Sequence, residues 1–292
     1  MRSVSLIQHG RTVLCFWSFC IFIYMYMQPA GAQNTLDRVR EKGVVRIAVA
    51  DEAPYGYRDE AGEISGEGPA IARKVLAMID PDIDIDWTVT EFGKLIQGLQ
   101  NNQFDIVAAG MFITKERCQE VAFSNPTYIV GEAFVVKAGN PKNLSDYDSV
   151  SQHADAKVGL VSGTVEYNYA VVAGIPAERA LLYFTLPEAL AALHAGEIDA
   201  IGVTTLTARA LVNKTPDAGL TTTEQFYPVV DGVVTRGYGA FAFRKADQDL
   251  VEAFNTQLAP FIGSDEHWSI VERFGFGPDM APDKTATELC SG

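Results

Sequence analysis

Residues 92–126 read FGKLIQGLQNNQFDIVAAGMFITKERCQEVAFSNP, and the spacing of apolar residues within this stretch indicates the fold class. Residues 92–100 repeat leucine and isoleucine at helical spacing, and residues 104–109 form a short apolar run that is typical of a buried strand. Thr114 is a good N-cap for a second helix that begins one residue later. A helix, a buried strand and a further helix in succession predict an α/β protein.

One helix–strand pattern occurs twice, once in each half of the chain. Residues 96–105 read IQGLQNNQFD and residues 190–199 read LAALHAGEID, and the aspartate follows Leu99 in the first segment and Leu193 in the second by six residues. Two similarly built lobes are therefore expected. The apolar segments 131–137 and 237–244 are candidate connections between the lobes, so that the C-terminal segment would return to the first lobe.

The expected organisation has residues 33–134 and 240–292 in lobe 1 and residues 135–239 in lobe 2. Residues 1–32 stand apart, because their positive charge, an apolar run of about 15 residues and a small-residue cleavage site have the order of a secretory signal peptide. We expect cleavage after about Ala32 and a periplasmic location. The alternative is a retained anchor, although the apolar run is shorter than the roughly 20 residues that a membrane-spanning helix needs.

Net charge excludes two classes of partner. The chain has 292 residues and a formal net charge of −14, and loss of residues 1–32, which carry two arginines and no acidic residue, would make the charge −16. So acidic a protein has no electrostatic footprint for nucleic acid or anionic lipid. We therefore expect neither of them as a partner.

Four cysteines are present, of which two lie inside the expected signal peptide and two, Cys118 and Cys290, lie outside it. An exported chain with two thiols most simply pairs them, because the compartment is oxidising. A disulfide between Cys118 and Cys290 is therefore expected, and the alternative is two independent buried thiols.

Motifs for catalysis are absent from the sequence. It contains no P-loop, GxSxG, HExxH or dinucleotide fingerprint, and the two outer cysteines lack the CxxC spacing of a thiolate metal site. His153, His194 and His267 occur in polar or helical stretches and are interpreted as surface residues. We therefore expect a protein without enzyme activity, catalytic residues, metal or cofactor.

One corner of the sequence does suggest a binding site. The buried strand is expected to end at Gly110, with Phe112 just ahead of the second helix. N–H groups at a helix N-terminus attract anions, and Arg117 in that first turn adds a guanidinium that can hold a carboxylate through two hydrogen bonds. The alternative is a structural salt bridge from Arg117 to Glu116 or Glu120.

Residues 92–126 resemble the core signature of the extracellular solute-binding proteins of ABC importers, polar amino-acid family. Three further segments fit that family in order: LDRVREKGVVRIAVADEAPYG at 36–56, VGLVSGT at 158–164 and GYGAFAFRKAD at 237–247. The resemblance covers essentially all of residues 35–280. It implies the two-lobe, type II periplasmic-binding-protein fold with a two-strand hinge and a ligand in the cleft. It also implies an inner-membrane ABC permease as partner and a monomeric protein.

In that family the arginine of the Thr-x-x-Arg turn holds the ligand carboxylate, and this arginine corresponds to Arg117. Donors of the second lobe correspond to residues 162–164, including Thr164. Thr204 follows the second-lobe strand, near the place where members that bind ordinary amino acids carry an aspartate for the α-ammonium group. Without that aspartate a free α-ammonium would lose about 2–5 kcal/mol of a buried charge pair. A ligand with a delocalised or blocked cation is therefore expected.

Acidic and aromatic residues of the first lobe could take up such a cation. Glu52 and Tyr55 follow the first strand, Phe92 begins a helix, and Phe112 lies close to Arg117. The loops that carry these residues face the cleft in this fold. Three rings and one carboxylate would then surround a weakly hydrated cation, the arrangement of a cation–π box.

Three segments resemble the subfamily that binds ectoine and hydroxyectoine: GMFITKERC at 110–118, DEAPY at 51–55 and Leu-Cys at 289–290. Ectoine is a cyclic amidinium with a carboxylate, which suits Arg117 at one end and the acidic, aromatic box at the other. Val165 departs from the subfamily, which has a carboxylate at this position. Contacts from the second lobe are therefore expected to differ.

The predicted function is that of a periplasmic substrate-binding component of an ABC importer that binds a small zwitterion, with ectoine or 5-hydroxyectoine first. The predicted ligand-binding residues are Glu52, Tyr55, Phe92, Gly110, Phe112, Arg117, Thr164 and Thr204. One alternative is a polar amino-acid-binding protein of an importer. Another is a dehydratase of a prephenate- or arogenate-like acid on the same fold, with Glu52 or Glu166 as its catalytic acid.

Overall fold

The computed structural model of the protein describes residues 34–216 and 218–291, which form a mixed α/β structure. The strands are β1 Val44–Val49, β2 Tyr57–Arg58, β3 Ile64–Ser65, β4 Asp84–Val89, β5 Ile106–Phe112, β6 Val121–Phe123, β7 Tyr128–Val130, β8 Glu132–Lys137, β9 Val158–Val161, β10 Ala180–Tyr183, β11 Ala200–Thr204, β12 Leu220–Thr222, β13 Val229–Val230, β14 Val233–Val234 and β15 Gly237–Arg244. The α-helices are α1 Thr35–Lys42, α2 Glu67–Ile79, α3 Leu95–Gln100, α4 Lys115–Glu120, α5 Tyr147–Gln152, α6 Glu166–Val172, α7 Leu186–Ala195, α8 Thr205–Lys214, α9 Gln248–Phe261, α10 Asp265–Val271 and α11 Ala286–Ser291. Short 3₁₀ helices span Phe92–Lys94, Glu272–Phe274 and Pro278–Met280.

The first large sheet has the strand order β4-β1-β5-β15-β6, and β7 also pairs with β15. β1 runs parallel to β4 and β5, whereas β15 runs antiparallel to β5, β6 and β7. Buried side chains of α2 and α9 pack on this sheet, and the ring of Phe254 lies 5.5 Å from that of Phe243. β1 and β5 are apolar along most of their length, as is typical of strands that helices cover, whereas the edge strand β4 alternates polar and apolar residues.

The second large sheet has the order β10-β9-β11-β8-β12. β9, β10 and β11 are parallel, and β8 is antiparallel to both β11 and β12. The chain passes from the first sheet to the second between β7 and β8, where Gly131 alone separates the two strands, and it returns in β15. The predicted lobe boundaries at 134/135 and 239/240 fall inside β8 and β15, and they stay a prediction.

The predicted end of a strand at Gly110 is wrong, because β5 continues to Phe112. Gly110 has a φ of 65°, in the left-handed region, and the pairing of β5 with β15 changes register beside it. A Cβ at this position would lie 2.7 Å from the Tyr128 hydroxyl and equally close to the ring of Tyr55. The glycine therefore allows two tyrosine side chains to lie directly against the strand.

The aspartates of the repeated pattern anchor the start of a strand in each sheet. Asp105 is fully buried before β5. The arginines that bind it are Arg46, Arg244 and Arg38. Burial alone would raise the pKa of Asp105, but the hydrogen bonds from these arginines lower it overall. Asp199 accepts the backbone N–H of Lys157 at 2.8 Å, just before β11.

Helix α4 begins as predicted, since the Thr114 hydroxyl accepts the backbone N–H of Arg117 at 3.2 Å. Cys118 lies in the same helix and forms the predicted disulfide with Cys290 of α11. The bridge joins positions 172 residues apart, so the C-terminal helix is fixed to α4. The alternative of two independent thiols is excluded.

The prediction that the histidines lie at the surface is wrong for His267. Its side chain is buried, Nδ1 accepts the backbone N–H of Gly263 at 3.2 Å, and burial lowers its pKa to about 4. His194 is exposed and His153 is half-buried. α10 begins with Asp265 and Glu266, so the sequence suggests a polar, exposed helix start, but the next residue, His267, is buried.

Candidate functional site

A cavity lies where strand ends and loops of the two sheets meet. The residues that line it are Glu52, Tyr55, Phe92, Ala109, Gly110, Phe112, Arg117, Thr164, Val165, Glu166 and Thr204. All eight residues that the sequence predicts to bind ligand are therefore brought together. The space outside the protein atoms is about 290 Å³, a volume that includes open solvent at the cavity mouth.

Arg117 projects from the first turn of α4 into one wall of the cavity. The side chain is buried, Nη1 donates to the Phe112 carbonyl at 2.8 Å, and Nη2 donates to the Gly163 carbonyl at 2.9 Å. Because Gly163 belongs to the loop after β9, the guanidinium joins the two sheets. The alternative of a salt bridge to Glu116 or Glu120 is not found among the described residues.

The guanidinium of Arg117 retains donors that can serve a ligand. It has five N–H groups, and within the described part of the chain two hydrogen bonds from them are found. Burial lowers the pKa of Arg117, whereas the negative charge of Glu166 opposes that change. A buried cation with unused donors is a suitable seat for a carboxylate.

A chain of hydroxyl groups connects three other polar side chains of the cavity, those of Tyr55, Thr204 and Glu52. Tyr55 Oη donates to Thr204 Oγ1 at 2.8 Å, Thr204 donates to Thr207 Oγ1 at 3.1 Å, and Thr207 donates to Glu52 Oε1 at 2.7 Å. Burial raises the pKa of Glu52 to about 7, although the bond from Thr207 opposes this. Thr207 was not predicted from the sequence. The feature that could have indicated it is its position three residues after the N-cap residue Thr204.

The three predicted aromatic rings line the cavity, but all three also pack against other protein groups. The Arg117 guanidinium carbon lies 5.5 Å from the Phe92 ring centroid, so the protein's own cation contacts that ring. Tyr55 stacks on Tyr128 at a centroid distance of 5.3 Å and meets Phe276 edge-on at 5.8 Å. Their positions are therefore fixed by packing before any ligand arrives.

Glu166 is the functional side chain whose role sequence reasoning assessed least well. From the sequence, Glu166 is suggested only as a catalytic acid. Val165 occupies the position after Thr164 where the ectoine-binding subfamily has a carboxylate, which suggests that the second lobe contributes no carboxylate there. Glu166, one position further on, lines the cavity, is buried, and has a pKa raised by burial. The cavity lining thus contains two carboxyl groups, from Glu52 and Glu166, and one guanidinium, from Arg117.

The sequence family follows from comparison with known proteins. Residues 45–278 match the family model of the bacterial extracellular solute-binding proteins, family 3. The protein belongs to this family, the periplasmic solute-binding components of ABC transporters for polar amino acids and related solutes, and it has their two-lobe α/β fold.

Three relatives illustrate the range of this similarity. A probable amino-acid ABC transporter periplasmic-binding protein, y4tE of Sinorhizobium fredii, is 38% identical over 274 residues, 92% of this chain and 90% of that protein. The crystal structure of EhuB in complex with hydroxyectoine is 33% identical, with a TM-score of 0.80 over 89% of this chain and 99% of EhuB. An ancestral arginine-binding protein bound to arginine is 27% identical, with a TM-score of 0.70 over 80% and 99% of the two chains.

Two further properties concern residues 34–216 and 218–291. None of the helices there has the length and apolar composition needed to cross a membrane. In the same part of the chain, no group of three or more histidine, cysteine, aspartate or glutamate side chains is arranged to hold a metal ion. The predicted signal peptide, residues 1–32, lies outside the described residues.

Proposed function

We propose that this solute-binding protein takes a small zwitterion into the cavity, with ectoine or 5-hydroxyectoine as the leading ligand. One observation carries the proposal: Arg117, with unused donors, and Glu52 line the same cavity of about 290 Å³. A ligand with a carboxylate and a delocalised cation would meet a group of opposite charge at each end. The likeness to EhuB, a structure described with hydroxyectoine bound, supports this choice.

Each of the eight predicted ligand-binding residues has a defined task in this proposal. Arg117 binds the ligand carboxylate, while Glu52 accepts from the cation. The Thr164 hydroxyl donates to the Val161 carbonyl at 2.8 Å, so its oxygen is left to accept from an N–H or O–H of the ligand. The rings of Tyr55, Phe92 and Phe112 cover the cation. The other two predicted ligand-binding residues, Gly110 and Thr204, hold Tyr55 in place. The loaded protein then delivers its ligand to an inner-membrane ABC permease. Cleavage after about Ala32 and a monomeric state belong to the same proposal.

A second candidate is a polar amino acid, and Glu166 is the observation that favours it. The missing aspartate near Thr204 argues against a free α-ammonium, but a buried carboxyl group at Glu166 offers that ammonium an alternative partner. The relative from Sinorhizobium fredii, described as a probable amino-acid transporter component, supports the same candidate.

Calorimetric titration of the purified protein separates these candidates. Ectoine, 5-hydroxyectoine, proline, glycine betaine, arginine and glutamine would be titrated in turn at fixed pH and salt. Tight, one-to-one binding of the two ectoines and weak binding of the amino acids is the expected result. Tight binding of an amino acid without binding of ectoines would refute the leading ligand.

Matched arginine variants test the carboxylate seat. Loss of the Arg117 contact should cost about 3–5 kcal/mol of binding free energy, because the ligand carboxylate would stay buried and unpaired. Arg117→Ala should therefore bind ectoine at least 100-fold more weakly than the wild type. Arg209→Ala removes an exposed arginine and should leave the affinity unchanged. Equal affinity of the two variants would contradict the role of Arg117.

The dehydratase alternative has one favourable observation: Glu52 and Glu166, both with raised pKa, line a cavity that could hold an acidic substrate. Incubation with prephenate or arogenate, followed by chromatography, would detect an aromatic product. Stoichiometric binding without product formation is the expected outcome, whereas turnover that Glu166→Gln abolishes would replace transport by catalysis.

A further inference from the structure

Two buried carboxyl groups near the cavity, those of Glu132 and Glu166, each have an oxygen without a hydrogen-bond partner among the described residues. Glu132 is 2% exposed at the start of β8, and Glu166 is 6% exposed at the start of α6. The buried hydroxyl of Tyr147 also has no partner in this part of the chain. An unpaired buried polar atom costs about 1–3 kcal/mol, so a group of three calls for an explanation.

Glu132 stands directly beside the cavity. In the antiparallel pair of β8 and β11, Glu132 lies opposite Thr204, which lines the cavity. Opposite residues of such a pair place their side chains on the same face of the sheet. The main chain of Glu132 is held on both sides, since its N–H donates to the Phe226 carbonyl at 2.8 Å and its carbonyl accepts from Thr205 Oγ1 at 3.2 Å. The carboxyl group therefore has a fixed place behind the cavity wall.

Several charged and titratable groups face this carboxyl pair. They are Glu52, Tyr55, Arg117, Tyr147 and Tyr169. Burial raises the pKa of both Glu132 and Glu166, and the charges of Glu166 and Glu52 raise that of Glu132 further. Of these three carboxyl groups, that of Glu166 interacts with the charge of Arg117. Two carboxyl groups at one buried site do not both ionise readily, and their titration belongs to the pair.

We propose that Glu132 and Glu166 form an acidic subsite for an N–H-bearing cationic group of the ligand, and that this pair holds one proton until the cation displaces it. As the cation enters, the O–H bond of the pair breaks and the proton passes to solvent. The freed carboxylate then accepts an N–H of the ligand and balances its charge.

This inference rests on the proposed function and narrows the ligand class. A cation that meets Glu52 as well as the pair of Glu132 and Glu166 needs N–H donors on two sides, as an amidinium or guanidinium has. A quaternary ammonium has no N–H group and would leave the unpaired oxygens of the pair unsatisfied. Quaternary ammonium ligands such as glycine betaine are therefore expected to bind at least tenfold more weakly than ectoine.

Calorimetry in buffers of different ionisation enthalpy counts the protons released on binding. With ectoine or arginine as the probe near neutral pH, the pair in the wild type should release about one proton per bound ligand, in addition to any proton that Glu52 releases. Glu132→Gln removes one member of the pair without removing a lining residue, so it should still bind the probe but release about one proton fewer than the wild type. Glu67→Gln is the matched control, because Glu67 is also buried with a raised pKa and does not line the cavity.

The number of protons that Glu67→Gln releases on ligand binding should equal that of the wild type. No proton release by the wild type, or equal release by Glu132→Gln and the wild type, would overturn the proposal.

Infrared difference spectra of the ligand-free protein separate failure of the subsite from failure of the proposed function. The wild type should show a protonated carboxyl band near neutral pH that is lost in Glu132→Gln and equally lost in Glu166→Gln, because one proton is shared. If neither probe binds, the proposed ligand class fails, and the spectra alone decide on the pair. Retention of the same band in both variants would overturn the shared proton, and either variant suffices if the other fails to fold.

Discussion

Substitution of Gly110 by alanine tests how the strand and the cavity are built together. Gly110 has a φ of 65°, and a Cβ at this position would lie 2.7 Å from the Tyr128 hydroxyl and from atoms of the Tyr55 ring. Tyr55 also donates to Thr204 across the cavity at 2.8 Å. The extra methyl group therefore strains the backbone and pushes on a ring that lines the binding site.

Two costs add in Gly110→Ala. A side chain in the left-handed region costs about 1–2 kcal/mol. An extra carbon in a filled core costs about 1–3 kcal/mol more. The free energy of unfolding should therefore fall by about 2–5 kcal/mol. Displacement of Tyr55 from Thr204 would also lose a hydrogen bond worth about 0.5–1.5 kcal/mol, which corresponds to a roughly 2- to 10-fold loss of ligand affinity.

Gly62→Ala provides the matched control for this experiment. Gly62 has a φ of 84°, also in the left-handed region, but a Cβ there would meet no atom within 4 Å. Urea denaturation of both variants separates the two costs, because only Gly110→Ala adds crowding to backbone strain. Equal losses of stability in the two variants, or unchanged affinity in Gly110→Ala, would refute the assigned role of Gly110.

Two further predictions concern stability. Cys290→Ser opens the bridge to Cys118, which spans 172 positions. It should lower the free energy of unfolding by up to about 5 kcal/mol in the chain-entropy model. An unchanged urea midpoint would contradict this prediction, and reduction of the wild-type disulfide should reproduce the effect. Burial raises the pKa of Glu67 to about 8 although the Thr127 hydroxyl donates to it, so the folded state holds this proton more tightly than the unfolded state. Its contribution is therefore complete below the unfolded pKa and is lost as pH rises towards about 8. Glu67→Gln should flatten the decline of Tm between about pH 5 and 8, and an equally steep decline would disprove this assignment.

Local signals in the sequence predicted much of the fold and the composition of the cavity. Thr114 caps α4 because the hydroxyl spacing of an N-cap is a property of adjacent residues. The buried strand and the following helix are likewise encoded within residues 92–126, and the family resemblance supplied the order of the two lobes. These signals bring Glu52 and Arg117 to one cavity although 65 positions separate them in the sequence.

The remaining features depend on contacts that local sequence does not reveal. Gly110 reads as the end of a strand, but pairing with β15 carries β5 two residues further. His267 follows two acidic residues and reads as polar, yet the packing of α10 buries it. Glu132 opens an apolar strand that the sequence marks only as a connection. Its significance depends on Glu166, which lies more than 30 positions further along the sequence and whose charge acts on Glu132 only in the folded chain.

The chain of hydroxyls from Tyr55 to Glu52 has a consequence for how acidity and shape are linked. Its middle members, Thr204 and Thr207, belong to β11 and α8, whereas its ends belong to the loop after β1. A separation of these elements would break the chain and expose Glu52 to water, where its pKa would return from about 7 towards that of a free carboxyl group. By thermodynamic linkage, a mildly acidic medium favours the closed arrangement, and rising pH favours its opening.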